Sequence, residues 1–307
     1  MQATANVNGL ITAASDAKIS IFDRGFLYGD SIYEVVRTYS GVPFYYDEHF
    51  ERLENSARLA QMELSQSRLF LKEEIRRTVA SSNVQAGEEV FIRYAITRGE
   101  SVLDLDPALA KKTSYIILVK PIVDWNPRFY QEGMWLAMPS IRRNSPLALD
   151  PNIKSGNYLN NILAVGEVKK LGADDALILS LDGKLTEASN SNVCFVQDGK
   201  IISPPHEAGT NTGNLKGLTK RAVAEVCKKI GVGYSERPLR PEDIPSMKEC
   251  FVSSATREIM PVCGIRFEHG AKQVFPSGGG ELTKRLIQEY KKYVAEYTKT
   301  HAKEAFF

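Results

Sequence analysis

A chain of 307 residues with 43% hydrophobic and 25% charged side chains can bury a sizeable core, in one large domain or two lobes. Its formal net charge of +2 gives no basic field for nucleic acid, and no apolar run approaches the roughly 20 residues of a membrane span. The N-terminal stretch lacks a signal-peptide pattern, Cys194, Cys227, Cys250 and Cys263 form no CxxC pair, and His49, His206, His269 and His301 lack ligand spacing, so reduced thiols, a cytoplasmic location and no metal are expected.

Along the chain, Asn8-Gly9 and Ser40-Gly41 are turn signals, and the second predicts a hairpin between residues 32–39 and 42–46. Asp47 is the expected N-cap of a helix to about residue 61, with Phe50, Leu53, Ala57 and Ala60 on its apolar face. A second helix is expected over 67–82 and strands over 89–97 and 114–119. Pro121, Asn126-Pro127 and Gly133 break both periodicities, so 121–133 reads as an interdomain linker. Beyond it strands are expected over 135–138, 176–180, 192–196, 200–202 and 249–253, with hairpin turns at Asp182-Gly183 and Asp198-Gly199. Helices are expected over 158–171, 219–230 and 282–298. The result is an α/β (α+β) chain: a small N-terminal domain over 1–120, the linker, and a larger, mostly antiparallel domain over 134–307.

Four segments become informative together. They are Asn152-Ile153-Lys154-Ser155-Gly156-Asn157-Tyr158, ahead of a helix; Leu185-Thr186-Glu187-Ala188-Ser189-Asn190-Ser191-Asn192, entering a strand; Leu215-Lys216-Gly217-Leu218-Thr219-Lys220-Arg221, a glycine turn opening a helix; and His49-Phe50-Glu51-Arg52-Leu53. In this order they resemble the class IV aminotransferases, the fold type IV family of branched-chain and D-amino acid aminotransferases. The resemblance runs from about Asn8 to the C-terminal helix. It implies a pyridoxal 5'-phosphate enzyme that moves an amino group between an amino acid and a 2-oxoacid, and a homodimer or higher homo-oligomer.

The resemblance also implies residue roles, each with a chemical reason. Lys154 is the amine that joins the cofactor aldehyde as a Schiff base and shuttles a proton. Glu187 is the carboxylate facing the pyridine nitrogen, so that the ring accepts electrons from the Cα–H bond. Tyr158 hydrogen-bonds the ring oxygen. Leu218 and Thr219, opening a helix after Gly217, offer N–H groups to the phosphate, and Arg52 is its cationic partner.

Two segments depart from the family pattern. A second phosphate turn usually carries a threonine followed by small residues, but here reads Ser253-Ser254-Ala255-Thr256-Arg257-Glu258-Ile259. Ala255 stands where the threonine would be, leaving Ser254 or Thr256 to supply the hydroxyl. The loop 204–214, with His206, is longer than the pattern and reads as a surface insert.

Substrate choice rests on fewer residues. Tyr33-Glu34-Val35-Val36-Arg37 is closer to D-amino acid aminotransferases, whereas Phe91-Ile92-Arg93 resembles the Tyr-x-Arg with which branched-chain enzymes meet the substrate carboxylate. Leu103 and Leu105 stand where the D-specific pattern has an Arg-x-His, and leucines offer no donors. Arg93, with Tyr33, Phe91 and the backbone around Thr256 and Arg257, is therefore expected to hold a hydrophobic, branched-chain L-amino acid. D-amino acid or (R)-amine transamination, aminodeoxychorismate lyase chemistry and a non-catalytic cofactor-binding protein are the alternatives.

Overall fold

In the computed structural model, residues 1–85, 87–206 and 213–307 are described. The chain divides into two units: residues 1–123, 153–157 and 294–307 form one, and 124–152 with 158–293 form the other.

The first unit holds β1 (Thr4–Val7), β2 (Leu10–Ala13), α1 (Arg24–Tyr28), β3 (Ser31–Tyr39), β4 (Val42–Pro43), α2 (Tyr46–Leu59), α3 (Arg68–Ala80), β5 (Val90–Thr97) and β6 (Ser114–Pro121). Its six-stranded sheet runs β2-β1-β6-β5-β3-β4, antiparallel throughout. The expected hairpin forms with Tyr39 opposite Val42. Ser40 and Gly41 both take positive φ, 50° and 74°, the backbone that a two-residue turn with the correct twist requires. In β5 and β6 buried residues alternate with half-buried ones, as expected of strands with one face on a core. Ile32, Val36, Ile92, Tyr94 and Ile117 pack there with Phe50 and Leu53 of α2 and Leu71 and Ile75 of α3.

Asp47 is not the N-cap of α2. That position is Tyr45, in a left-handed conformation with no side-chain cap. Its ring stacks on Phe44, with centroids 4.4 Å apart, and meets the edge of Tyr297, so aromatic packing sets the start of the helix. Asp47 instead pairs with Lys72.

The second unit holds α4 (Arg128–Gln131), β7 (Met134–Ala137), α5 (Leu159–Lys170), β8 (Asp175–Leu179), β9 (Leu185–Ala188), β10 (Asn192–Gln197), β11 (Lys200–Ser203), α6 (Leu218–Lys229), β12 (Tyr234–Glu236), β13 (Glu249–Ser254), β14 (Glu258–Arg266) and β15 (Lys272–Val274). The last helix, α7, spans Glu281–Thr300. The sheet runs β12-β11-β10-β13-β14-β7-β8-β9, with β15 beside β14; the pairs β11/β12, β14/β7 and β7/β8 are parallel and the others antiparallel. Every residue of β8 and β9 is buried.

The expected domain bounds need three corrections. Residues 124–133 are not a free linker: they belong to the second unit, where Trp125, Phe129 and Tyr130 pack against the cluster of Met134, Leu136 and Val252. Residues 153–157 belong to the first unit because their backbone pairs with β3: Tyr33 N–H donates to Lys154 C=O at 2.9 Å. Residues 294–307 also join it, where Tyr297 meets Phe44 and Phe306 meets Tyr46.

Strand β14 was also hidden in the sequence. Pro261 lacks the N–H of a ladder residue, and the register against β7 slips between Val262 and Gly264, which blurs the alternation that marks a strand. Among the described residues no helix is long and apolar enough to cross a membrane. Burial pushes the Cys194 and Cys227 thiols up to about 11 and 12, so both are inert neutral side chains.

Candidate active site

Lys154 lies beside the start of β3. Its own N–H donates to Ser56 Oγ on α2 at 3.1 Å, and its carbonyl accepts from Tyr33. Backbone held on both sides fixes where the side chain starts. The amine Nζ lies 3.3 Å from Tyr33 Oη and 4.4 Å from the ring centroid. Arg93 stacks on the same ring at 3.5 Å. Register explains the meeting: Val35 faces Arg93 across β3 and β5, so Tyr33 is the diagonal neighbour of Arg93. Phe91, opposite Arg37, is two residues further along β5. Among the described residues, Arg93 makes no hydrogen bond or ion pair.

Arg52 is held by Glu34. Its Nε and Nη2 each donate to one carboxylate oxygen at 2.7 Å, and His49 Nδ1 lies 2.7 Å from Glu34 Oε2. Burial alone would raise the Glu34 carboxyl, but the Arg52 guanidinium and His49 outweigh it and hold the group at about 2. Burial lowers His49 below its usual value despite Glu34. A bidentate arginine of this kind has one fixed guanidinium plane.

In the second unit, Glu187 on β9 is buried and accepts from Arg143 Nη2 and Leu215 N–H, each at 3.0 Å. Arg143 Nη1 also donates to Asn161 Oδ1, and Asn161 Nδ2 to Ser189 C=O. Asn192 Nδ2 donates to Asn214 Oδ1 and Leu215 C=O. Here Gly217 has a steric reason: a Cβ would lie 1.8 Å from Asn192 Oδ1. Gly217 is the N-cap of α6 and supplies no side-chain cap to the N–H groups of the first turn, which starts at Leu218 and Thr219. Tyr158 is the N-cap of α5.

The Amino-transferase class IV family matches residues 31–265, which include every residue placed above. The chain belongs to the class IV aminotransferases. A Methanocaldococcus jannaschii protein provisionally named a branched-chain-amino-acid aminotransferase is 31% identical over 93% of this chain and 94% of its own. The structure of the Escherichia coli branched-chain amino acid aminotransferase superposes with a TM-score of 0.84 at 27% identity, over 94% of this chain and 93% of that one. The T.th. branched-chain amino acid aminotransferase with pyridoxamine 5'-phosphate gives 0.83 at 25% identity, over 96% and 94%.

Within this aminotransferase, the residues expected to act together fall into two groups. Lys154, Tyr33 and Arg93 meet in the first unit, with Phe91 two residues before Arg93 on β5. Glu187, Leu218 and Thr219 are linked in the second through Leu215 and Asn192. Arg52 is paired with Glu34 of β3. The expectation for Arg257 concerned its backbone; its side chain is held within the second unit, where Nη1 donates to Asn190 Oδ1 and Ser191 Oγ, and Nη2 pairs with Asp175. Residues 207–212 of the long loop lie outside the described residues.

Glu34, His49, Ser56, Arg143 and Asn192 were not singled out as site residues. One signal existed for Glu34. It is an acid between Ile32 and Val36 on the core face of an alternating strand, and a buried carboxylate needs a cation. Nothing in a single sequence distinguishes Arg143 from a surface arginine.

Proposed function

We propose that this aminotransferase uses pyridoxal 5'-phosphate to move an amino group between a branched-chain, hydrophobic L-amino acid and a 2-oxoacid such as 2-oxoglutarate. The observation that carries the reading is the Arg93 guanidinium, without an ion-pair partner among the described residues and stacked on the tyrosine that touches the Lys154 amine. A cation so placed suits a substrate carboxylate, and the aromatic and apolar neighbours Tyr33, Val35 and Phe91 suit an apolar side chain. The related structure that holds pyridoxamine 5'-phosphate supports the cofactor.

The residues present fit that cofactor. The first turn of α6 has no side-chain cap, and an uncapped helix N-terminus offers N–H groups to an anion. Leu218 and Thr219 would hold the phosphate with Arg52, Glu187 would face the ring nitrogen, and Tyr158 the ring oxygen. When bound, the cofactor supplies an electron sink for breaking the Cα–H bond. Lys154 Nζ moves the proton, Arg93 orients the substrate by its carboxylate, and Arg143 with the Leu215 N–H keeps the Glu187 carboxylate in place.

A homodimer in the cytoplasm completes the proposal. Phe22, Phe26, Val102, Leu103 and Leu105 are all exposed, and Ser101 N–H donates to Phe22 C=O, which joins their two loops. An apolar group of this kind suits burial against a second copy. Four free thiols suit a reducing compartment.

The test is a donor panel of both enantiomers of leucine, valine, alanine and glutamate, read as oxoacid-dependent exchange. The proposal expects L-leucine with 2-oxoglutarate to lead. Faster turnover of D-alanine or an (R)-amine than of every L-amino acid overturns it, and release of pyruvate from aminodeoxychorismate would point to a lyase.

A further inference from the structure

The turn between β13 and β14 departs from the family pattern twice, with Ala255 in place of a threonine and Arg257 in place of a small residue. The two changes are connected. Among the described residues the N–H groups of Ala255 and Thr256 make no hydrogen bond, so the tip of the turn presents two free donors. Without a threonine hydroxyl, binding there depends on how firmly that backbone is held.

Within the turn the Arg257 N–H donates to Ser254 Oγ at 3.3 Å, and three further groups hold it. Trp125 Nε1 donates to Thr256 C=O at 3.0 Å, and Tyr130 Oη to Arg257 C=O at 3.1 Å. The third is the Arg257 guanidinium, which is 5% exposed. It donates to Asn190 Oδ1 at 2.6 Å and Ser191 Oγ at 2.8 Å, pairs with Asp175 Oδ2 at 3.0 Å, and lies 4.8 Å from the Trp125 ring centroid. Asp175 is itself 2% exposed. Asn190 and Ser191 follow Glu187 in the link between β9 and β10, so one planar cation ties the 254–257 turn to the segment that carries the ring-facing carboxylate. Arg257 and Asp175 also line a cavity of about 350 Å³ with Tyr158, Asn161, Ser189 and Asn190.

We propose that Arg257 is a positioning residue, whose buried guanidinium fixes the 254–257 backbone so that the free Ala255 N–H receives the cofactor phosphate. The proposal rests on the pyridoxal phosphate reading above. Lysine cannot replace Arg257, because a point charge on a flexible stem does not bond Asn190 and Ser191 while also pairing with Asp175 as the forked guanidinium does. A role confined to general stability would weaken every ligand of the fold alike, whereas this role concerns only the phosphate.

The experiment compares pyridoxal 5'-phosphate with pyridoxal, which lacks the phosphate. Both are titrated spectroscopically into the unaltered apoprotein, Arg257→Lys, and the double variant Arg257→Met with Asp175→Asn. The double variant removes both charges, so no buried carboxylate is left unpaired and the protein stays folded, as its melting temperature checks. The expected result is a Kd for pyridoxal phosphate raised at least about tenfold in both variants, the scale of one lost charge-assisted contact, with pyridoxal affinity within about twofold. Unchanged pyridoxal phosphate affinity in a folded variant overturns the proposal, and so does an equal loss for both ligands. An unaltered apoprotein that binds neither would overturn the cofactor reading as well.

Discussion

Glu34 grips Arg52 through two 2.7 Å hydrogen bonds while its second oxygen also meets His49 at 2.7 Å. The carboxylate is fully buried, so it exists as an anion only because two basic groups face it. This gives the protein an acid-sensitive element. The Glu34 carboxyl is held at about 2 against a usual 4.5. A depressed carboxyl contributes stability that is complete above 4.5 and lost as pH falls towards 2. The shift corresponds to on the order of 3 kcal/mol. Glu34→Gln should lower the urea midpoint at pH 6 and flatten its decline between pH 4.5 and 2.5. An acid limb as steep as that of the unaltered protein would remove Glu34 from the account.

Replacing Lys154 with alanine should abolish turnover and leave the fold intact, because the amine's one hydrogen bond among the described residues is to Tyr33 and its backbone keeps both of its own. Borohydride treatment of the loaded, unaltered protein should fix the cofactor to the peptide containing Lys154. Mass spectrometry that finds the label on a different lysine excludes the assignment.

Glu187→Gln keeps size but reverses hydrogen-bond polarity at one atom. If its amide oxygen stays on Arg143, its NH2 faces the Leu215 N–H, a donor against a donor. Stability should fall by about 1–3 kcal/mol, and kcat by ~10² or more, with little change in KM. A normal kcat would assign the ring nitrogen to another residue.

Arg93→Ala should raise KM for L-leucine or 2-oxoglutarate by roughly 10- to 150-fold, the equivalent of about 1.5–3 kcal/mol for one charge-assisted contact. Its fold should be unaffected, since among the described residues Arg93 makes no ion pair. Initial rates at varied substrate separate KM from kcat; a fall in kcat alone would move Arg93 from binding to chemistry.

The sequence made the candidate reactive residues legible because chemistry restricts them: an amine, a carboxylate and a glycine that opens a helix have few substitutes. It also made the first sheet legible, since β5 and β6 alternate. What it concealed are relations between distant segments. Arg52 pairing with Glu34, Arg143 with Glu187, and Trp125 with Thr256 leave no local pattern. The Tyr45 start of α2 was hidden for the same reason, since one of the two rings it packs against is Tyr297.

The division of the chain has a practical meaning for recombination with relatives. Lys154 belongs by contact to the first unit although it lies about 30 residues past Val123, so exchanging the N-terminal 123 residues alone would leave the amine's backbone facing a foreign β3 and a foreign Ser56 position. A portable module needs three pieces, 1–123, 153–157 and 294–307. The joint after 123 also matters: cutting at Gly133 would hand Trp125 and Tyr130 to the donor and strip the Thr256 and Arg257 carbonyls of the partners they fold against.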